Sequence, residues 1–316
     1  SDVPDIIDTW NEGKVADVEG YYENAKINRV YVDRVHVKKA FAEYTAAYNA
    51  DDPKIKLKID HTYRVAALCE RIAKAAGMCA YDVELAWLSG MLHDVGRFEQ
   101  IKRYNTFSDA DSVDHAKFGA DLLFKDGLIS TFLNGMVKCT GYKPGALEDR
   151  YSSDGVFLYD RLNKSDMEML ELAIRCHNMY RIPQGLNRRE QAFCNVLRDA
   201  DKVDIFKVNI DTPLEEIYNT TTEELMKSDI TDEVLEAFDE EHCILKAIRR
   251  TPADTVIGHV SLAYELVYDE SVRITVEQGY LAKLMHFHFD NEETNRKMAM
   301  VREKMDSYVK KRIGEN

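Results

Sequence analysis

Long apolar runs, glycine-rich phosphate loops and paired cysteines are all missing from this 316-residue chain. A bilayer demands roughly 20 consecutive apolar residues, and no such stretch exists, so a membrane-spanning role is not expected. The absence of any G-x-x-x-x-G-K sequence excludes a P-loop nucleotide site. The six cysteines (Cys69, Cys79, Cys139, Cys176, Cys194 and Cys243) form no C-x-x-C pair. Several fall on apolar helical faces, so reduced core cysteines in a cytoplasmic protein are expected. Positive charge is short as well, with 42 Lys and Arg against 56 Asp and Glu, giving a net charge of -14 and a pI near 5.2. Such a surface repels nucleic-acid backbones and anionic membranes, which excludes both as bulk partners. An anionic substrate would need local compensation from metal ions or a few basic side chains. No signal peptide or basic-apolar leader is read at the start. The chain opens at Ser1 rather than Met, as processing or trimming would leave it.

What is present is helical patterning with polar residues set into apolar faces. Hydrophobic content is 45%, ample for a sizeable core. The apolar run Leu85-Ala86-Trp87-Leu88 leads into Ser89-Gly90-Met91-Leu92-His93-Asp94-Val95-Gly96-Arg97-Phe98. Neighbouring helical residues point about 100° apart, so His93 and Asp94 converge on one ligand only where a helix ends. Gly96 is expected to supply that end. An imidazole beside a carboxylate is a normal ligand pair for a transition metal.

The spacing predicts helices over 35–48, 57–76, 81–92, 112–124, 166–179 and 189–206. In the second of these, Leu57, His61, Val65, Leu68 and Ile72 form one stripe, which puts His61 on the buried face. Residues 100–112 read as a polar loop leaving the His-Asp element, able to cover a site. His115 and Gly119 share a helical face, the glycine leaving room beside the imidazole. His177 ends its helix, ahead of Pro183 and Gly185. Asp201 is embedded among Val196, Leu197, Val203 and Ile205, where a carboxylate without a partner would cost several kcal/mol. His36, His286 and His288 are taken as structural, the last two at strand-like alternation.

Beyond residue 211 the expected helices run over 214–226, 234–248, 255–267, 278–285 and 292–312. In the last, Met298, Val301, Met305 and Tyr308 make a packing seam, and Gly314 is a stop signal. Three segments follow: an N-terminal extension (1–50), a central domain (51–210) and a C-terminal helical region (211–316).

His61, Leu-His-Asp-Val-Gly at 92–96 and Arg-Asp-Ala-Asp-Lys-Val-Asp at 198–204 resemble the HD superfamily of metal-dependent phosphohydrolases. The resemblance implies an all-α helical bundle carrying additional N- and C-terminal helices. His115 and His177 look like the extra ligands of its binuclear members, which include cyclic dinucleotide phosphodiesterases of the HD-GYP type and symmetric diadenosine tetraphosphate hydrolases. A single His177 followed by Asn178 departs from the HD-GYP pattern and argues against cyclic dinucleotides.

By resemblance, His61, His93, Asp94 and Asp201 would hold one metal, and Asp94 would bridge to a second on His115 and His177. Iron, manganese, cobalt, nickel or zinc would suit this donor set. A metal-bound hydroxide would cleave a phosphoester or phosphoanhydride of a small anionic substrate such as a nucleotide or dinucleoside polyphosphate. Asp94 and Arg97 are the expected catalytic residues. Arg97, Lys102, Arg103, Tyr104 and Lys202 are the expected substrate contacts, and Phe107 could stack a base. A diiron oxygenase and a non-catalytic metal- or ligand-binding regulatory domain are the alternatives, and a homodimer through the last helix is the assembly considered.

Overall fold

In the computed structural model, which describes residues 28–30, 32–133, 137–140, 156–159 and 164–314, the chain is all-α apart from three short strands. Residues 1–30, read from their mixed polar sequence as short helices or loose structure, and the loop-rich stretch 141–165 lie largely outside the described residues. Contacts divide the chain into two units, Ser1–Arg198 and Asp199–Asn316. Both that division and the boundary expected at 210 fall inside one continuous helix. Each unit is taken by itself.

The first unit begins with β1 (Asn28–Val30), which the sequence reading had placed in loose structure. It pairs antiparallel with β2 (Val137–Thr140), and β2 pairs antiparallel with β3 (Val156–Tyr159). In register, Asn28 lies opposite Thr140 and Val137 opposite Tyr159. The helices follow the apolar periodicity. α1 (Arg34–Thr45) is capped by the Asp33 side chain, which accepts from the N–H groups of Val35 and His36.

α2 (Pro53–Ala75) starts four residues before the stripe suggested. The segment between the two helices caps α2, for Asp52 accepts the Lys54 N–H and Pro53 takes the first turn. α2 lies along α3 (Ala80–Leu92), and the two approach so closely at Gly90 that a Cβ there would sit 2.6 Å from Ala66 Cα.

After α3 the chain makes one turn through His93 and Asp94 and enters α4 (Val95–Tyr104). The helix therefore ends where expected, but Gly96 does not end it. Gly96 lies in the first turn of α4, and a Cβ there would meet His115 O at 2.5 Å and Gly119 N at 2.7 Å. The glycine is needed so that α4 can cross α5 (His115–Ala120) backbone to backbone. Gly119 serves the same crossing rather than leaving room beside the imidazole, since its own Cβ would lie 3.0 Å from Gly96 N. The polar loop is also shorter than expected, because residues 100–104 complete α4.

A π-helical stretch, Asp121–Lys125, continues α5, and α6 (Ile129–Leu133) packs on α1. Phe41, Tyr44, Phe98 and Phe132 meet edge to face between α1, α4 and α6, fixing the back of α4. α7 (Lys164–Cys176) packs on α5 and α3. α8 (Arg188–Asp211) carries in its first turn Arg189, whose guanidinium binds Asp82 of α3 at 2.7 Å and Asp166 of α7 at 2.8 Å. All three of these charged residues are buried, so the network fixes the relative placement of three helices.

In the second unit several helices are shorter than the pattern predicted. The run over 214–226 splits into α9 (Leu214–Tyr218) and α10 (Thr222–Lys227), because Asn219 turns left-handed at φ 50. α11 (Asp232–Asp239) stops before Glu241, at φ 53, well short of 248. α12 (Pro252–Val260) is followed by a 3-10 turn, Ser261–Glu265. Gly279, at φ +69, separates α13 (Asp269–Gln278), which was not expected, from α14 (Tyr280–Met285). Residues 286–289 are not a strand. His286 instead ends α14, its Nδ1 facing the Ala282 carbonyl. α15 (Glu292–Ile313) buries Met298, Val301, Met305 and Val309, so the expected seam is right except that Val309 replaces Tyr308. Gly314 ends it at φ +77, as expected.

Candidate metal centre

Asp94 lies at the centre of four imidazoles. Its Oδ2 is 3.6 Å from His61 Nε2 and 3.5 Å from His93 Nε2. Its Oδ1 is 3.6 Å from His115 Nε2 and 3.7 Å from His177 Nε2. Each carboxylate oxygen thus addresses one histidine pair. α2 delivers His61, the α3–α4 turn delivers His93 and Asp94, α5 begins on His115, and His177 follows the end of α7. All five side chains are buried.

The far nitrogens of the rings fix their tautomers. His93 Nδ1 faces the Gly90 carbonyl at 2.8 Å, and His177 Nδ1 faces the Ile174 carbonyl at 2.7 Å. A carbonyl only accepts, so both Nδ1 atoms carry hydrogen and both Nε2 atoms present lone pairs when the rings are neutral. His115 Nδ1 donates to Asp109 Oδ2 at 2.6 Å, with the same result.

His115 and His177 therefore aim lone pairs at each other across 3.0 Å, and His93 and His61 place their Nε2 atoms 3.3 Å apart. Burial, aided by Arg97, pushes His115 down to about 4 against the pull of Asp109 and Asp94, so this ring keeps its Nε2 lone pair near neutrality. Two nitrogens each about 2.1 Å from one ion lie roughly 3.0–3.4 Å apart, the spacing of both pairs. Asp94 Oδ1 is moreover buried with no hydrogen bond. Burial alone would raise the Asp94 carboxyl. The charges of Lys58, His93, His115 and Arg97 outweigh it and hold the group well below the ordinary carboxylate range. Electrophiles are what such a donor set lacks, and His61–His93–Asp94 and Asp94–His115–His177 fit divalent metals.

Supporting residues complete the site, and several escaped the sequence reading. Lys58, three residues before His61 on α2, places its ammonium 2.7 Å from Asp94 Oδ2. A lysine within the apolar stripe Ile55, Lys58, His61, Val65 was the available signal. Asp109, in the loop before α5, accepts from His115, from Arg97 Nη1 at 3.0 Å and from Gln100 at 3.0 Å. Nothing in a polar loop singled it out. Asp109, Asp114 and His115 also cluster closely enough for a metal. Asn178 donates to both carboxylates, so that cluster is already engaged in holding His115. Arg198 donates to the carbonyls of Cys176, His177, Met179 and Tyr180, fixing the segment that presents His177.

The other expected residues fare differently. Arg97 reaches the site, its Nε 3.8 Å from Asp94 Oδ1. Its Nη1, however, is spent on Gln100, the Phe107 carbonyl and Asp109, so half of the expected phosphate fork holds the loop instead. Lys102 and Arg103 both pair with Glu99 on the outer face of α4 and are 59% and 51% exposed. Tyr104 is exposed beside them. The helical turn that points Arg97 toward Asp94 points these three away from it. Phe107 lies against the Lys58 and Arg97 cations at 5.4 and 5.7 Å, a cover for charge rather than an open stacking face.

Asp201 and Lys202 belong to the second unit, and Asp201 is half-buried rather than embedded. The buried carboxylates of that stretch are Asp199 and Asp204. Asp199 accepts from the N–H groups of Val267 and Tyr268 and from the Ser271 hydroxyl. These bonds offset part of the rise that burial imposes on its carboxyl. The five described cysteines are buried, and none of them is disulfide-bonded among the described residues. No helix among the described residues is long and apolar enough to cross a membrane.

The family model for the HD domain matches residues 59–311. That match extends from just before His61 nearly to the end of α15, well past the 210 boundary. No curated protein and no solved structure matches the chain.

Proposed function

Because the chain belongs to the HD domain family, whose superfamily is that of metal-dependent phosphohydrolases, we propose that it hydrolyses a phosphoester or phosphoanhydride of a small anionic substrate. A nucleotide or dinucleoside polyphosphate is the class we favour, since a net charge of -14 disfavours a polyanionic polymer. The observation that carries the proposal is the Asp94 carboxylate, which offers one oxygen to each of two histidine pairs. His61, His93 and Asp94 would hold one divalent ion. Asp94, His115 and His177 would hold a second. When bound, such ions supply Lewis acidity toward phosphoryl oxygens and bring the pKa of a coordinated water toward neutrality.

The protein's own side chains do the rest. The Gly90 and Ile174 carbonyls and the Asp109 carboxylate keep the Nε2 lone pairs of His93, His177 and His115 aimed at the ions. Burial around Asp94 lowers the local dielectric and strengthens each charge interaction there. Lys58 and Arg97 place positive charge beside the reacting region, where a phosphoryl group accumulates negative charge.

The test is metal content of the freshly purified full chain, followed by a phosphoester panel with added manganese or iron. Close to two ions per chain with phosphate release is expected, and His115→Ala should lose one equivalent and most turnover. Two irons, oxygen consumption and no phosphate release under any metal would replace the proposal with the diiron oxygenase.

A further inference from the structure

Asp94 treats its two oxygens unequally. Oδ2, which faces His61 and His93, accepts the Lys58 ammonium at 2.7 Å, and the two side chains are only 11% and 2% exposed. Oδ1, which faces His115 and His177, is buried without a hydrogen bond. Arg97 places its Nε 3.8 Å from Oδ1. Arg97 has a second carboxylate to neutralise it, Asp109 at 3.0 Å. Among the described residues Lys58 has no carboxylate partner other than Asp94, and its Nζ otherwise lies 5.4 Å from the Phe107 ring.

We propose that Lys58 is a positioning residue that makes the two metal positions unequal. It weakens the His61–His93 position by holding an ammonium, which has no other carboxylate among the described residues, on the oxygen that position must share. A divalent ion on His61, His93 and Oδ2 would have to share that oxygen with the ammonium and meet its charge at short range in a water-poor setting. An ion on His115, His177 and Oδ1 finds a free lone pair and a guanidinium already compensated. The His115–His177 position therefore fills first, and the His61–His93 position fills at higher metal concentration. The inference rests on the two-metal reading proposed above.

Calorimetric titration of the metal-free full chain with Mn²⁺ tests it without reference to turnover. The wild type should show two classes of site, with His115→Ala removing the tighter one. Lys58→Gln keeps a hydrogen bond to Oδ2 but not the charge. It should tighten the weaker class at least tenfold and leave the tighter class within twofold. Lys58→Arg keeps the charge and should keep the two classes apart, which supplies a second variant should Lys58→Gln fold poorly. If Lys58→Gln leaves the weaker class within twofold of wild type, or tightens both classes alike, the role of Lys58 is overturned while the two-metal reading stands. If the wild type binds no Mn²⁺ or other divalent ion, both are overturned together.

Discussion

Asp109 shows how much of a metal site is carried by residues that never touch the metal. Its carboxylate fixes the hydrogen of His115 on Nδ1 and is itself gripped by Arg97 and Gln100. Burial works to raise this carboxyl. The hydrogen bond and charge of His115, the charge of Arg97 and the Gln100 amide overcome it and lower the group well below its ordinary range. Removing such a partner costs about 10–100-fold in metal affinity. Asp109→Ala should therefore weaken the His115–His177 position by about that factor in a Mn²⁺ titration, with the other class little changed. Unchanged affinity at both classes would show that His115 needs no orienting group. The residue types of the centre were legible because a histidine or aspartate on an apolar face is conspicuous. Asp109 was not, since an aspartate in a polar loop looks like any solvated one until the fold folds that loop back onto His115.

At the scale of elements, the crossing of α4 over α5 brings Asp94 to His115. Gly96 and Gly119 face each other there, and every nearby atom that a Gly96 side chain would strike is backbone: His115 O, Gly119 N and Gly119 Cα, at 2.5–2.9 Å. Backbone cannot swing aside as a flexible side chain can. Gly96→Ala should destabilise the protein by about 1–3 kcal/mol through overpacking, measurable as a lowered urea midpoint. It should also weaken metal binding by separating α4 from His115. A variant as stable as wild type would mean that the crossing has slack. Here the sequence misled, because a glycine after a His-Asp pair reads equally well as a helix stop and as a close approach. Only the position of the second helix distinguishes the two. The helices of the second unit were overextended for a related reason. Apolar periodicity continues across Asn219 and Glu241, while the positive φ at those residues is a tertiary choice of non-glycine residues.

On the scale of the whole molecule, the second unit carries its own pH dependence. Burial, aided by the charges of Arg249 and Lys246, pushes His259 down to about 3, and its Nδ1 has no hydrogen bond. The folded state thus favours the neutral ring, and the unfolded chain binds the extra proton first. This contribution is intact above the unfolded value of about 6.5 and is lost progressively as pH falls from there toward about 3. Between pH 7 and pH 5 the loss should be about 1–2 kcal/mol. His259→Phe should flatten the dependence of the urea midpoint over that interval relative to wild type, whatever its absolute stability. Parallel slopes for the two proteins would discard the assignment.

The helical class, the identities of His61, His93, Asp94, His115 and His177, and the family were all determined by the sequence itself. They depend on periodicity and on polar residues misplaced in apolar faces, which are local properties of the chain. The tertiary structure decided which oxygen of Asp94 each histidine pair faces, that Lys58 and Asp109 join the centre, that Lys102, Arg103 and Tyr104 lie on the outer face of α4, and that Gly96 is a crossing point. Those outcomes depend on distances between residues far apart in the chain, and spacing along a sequence holds no measure of them until helices pack.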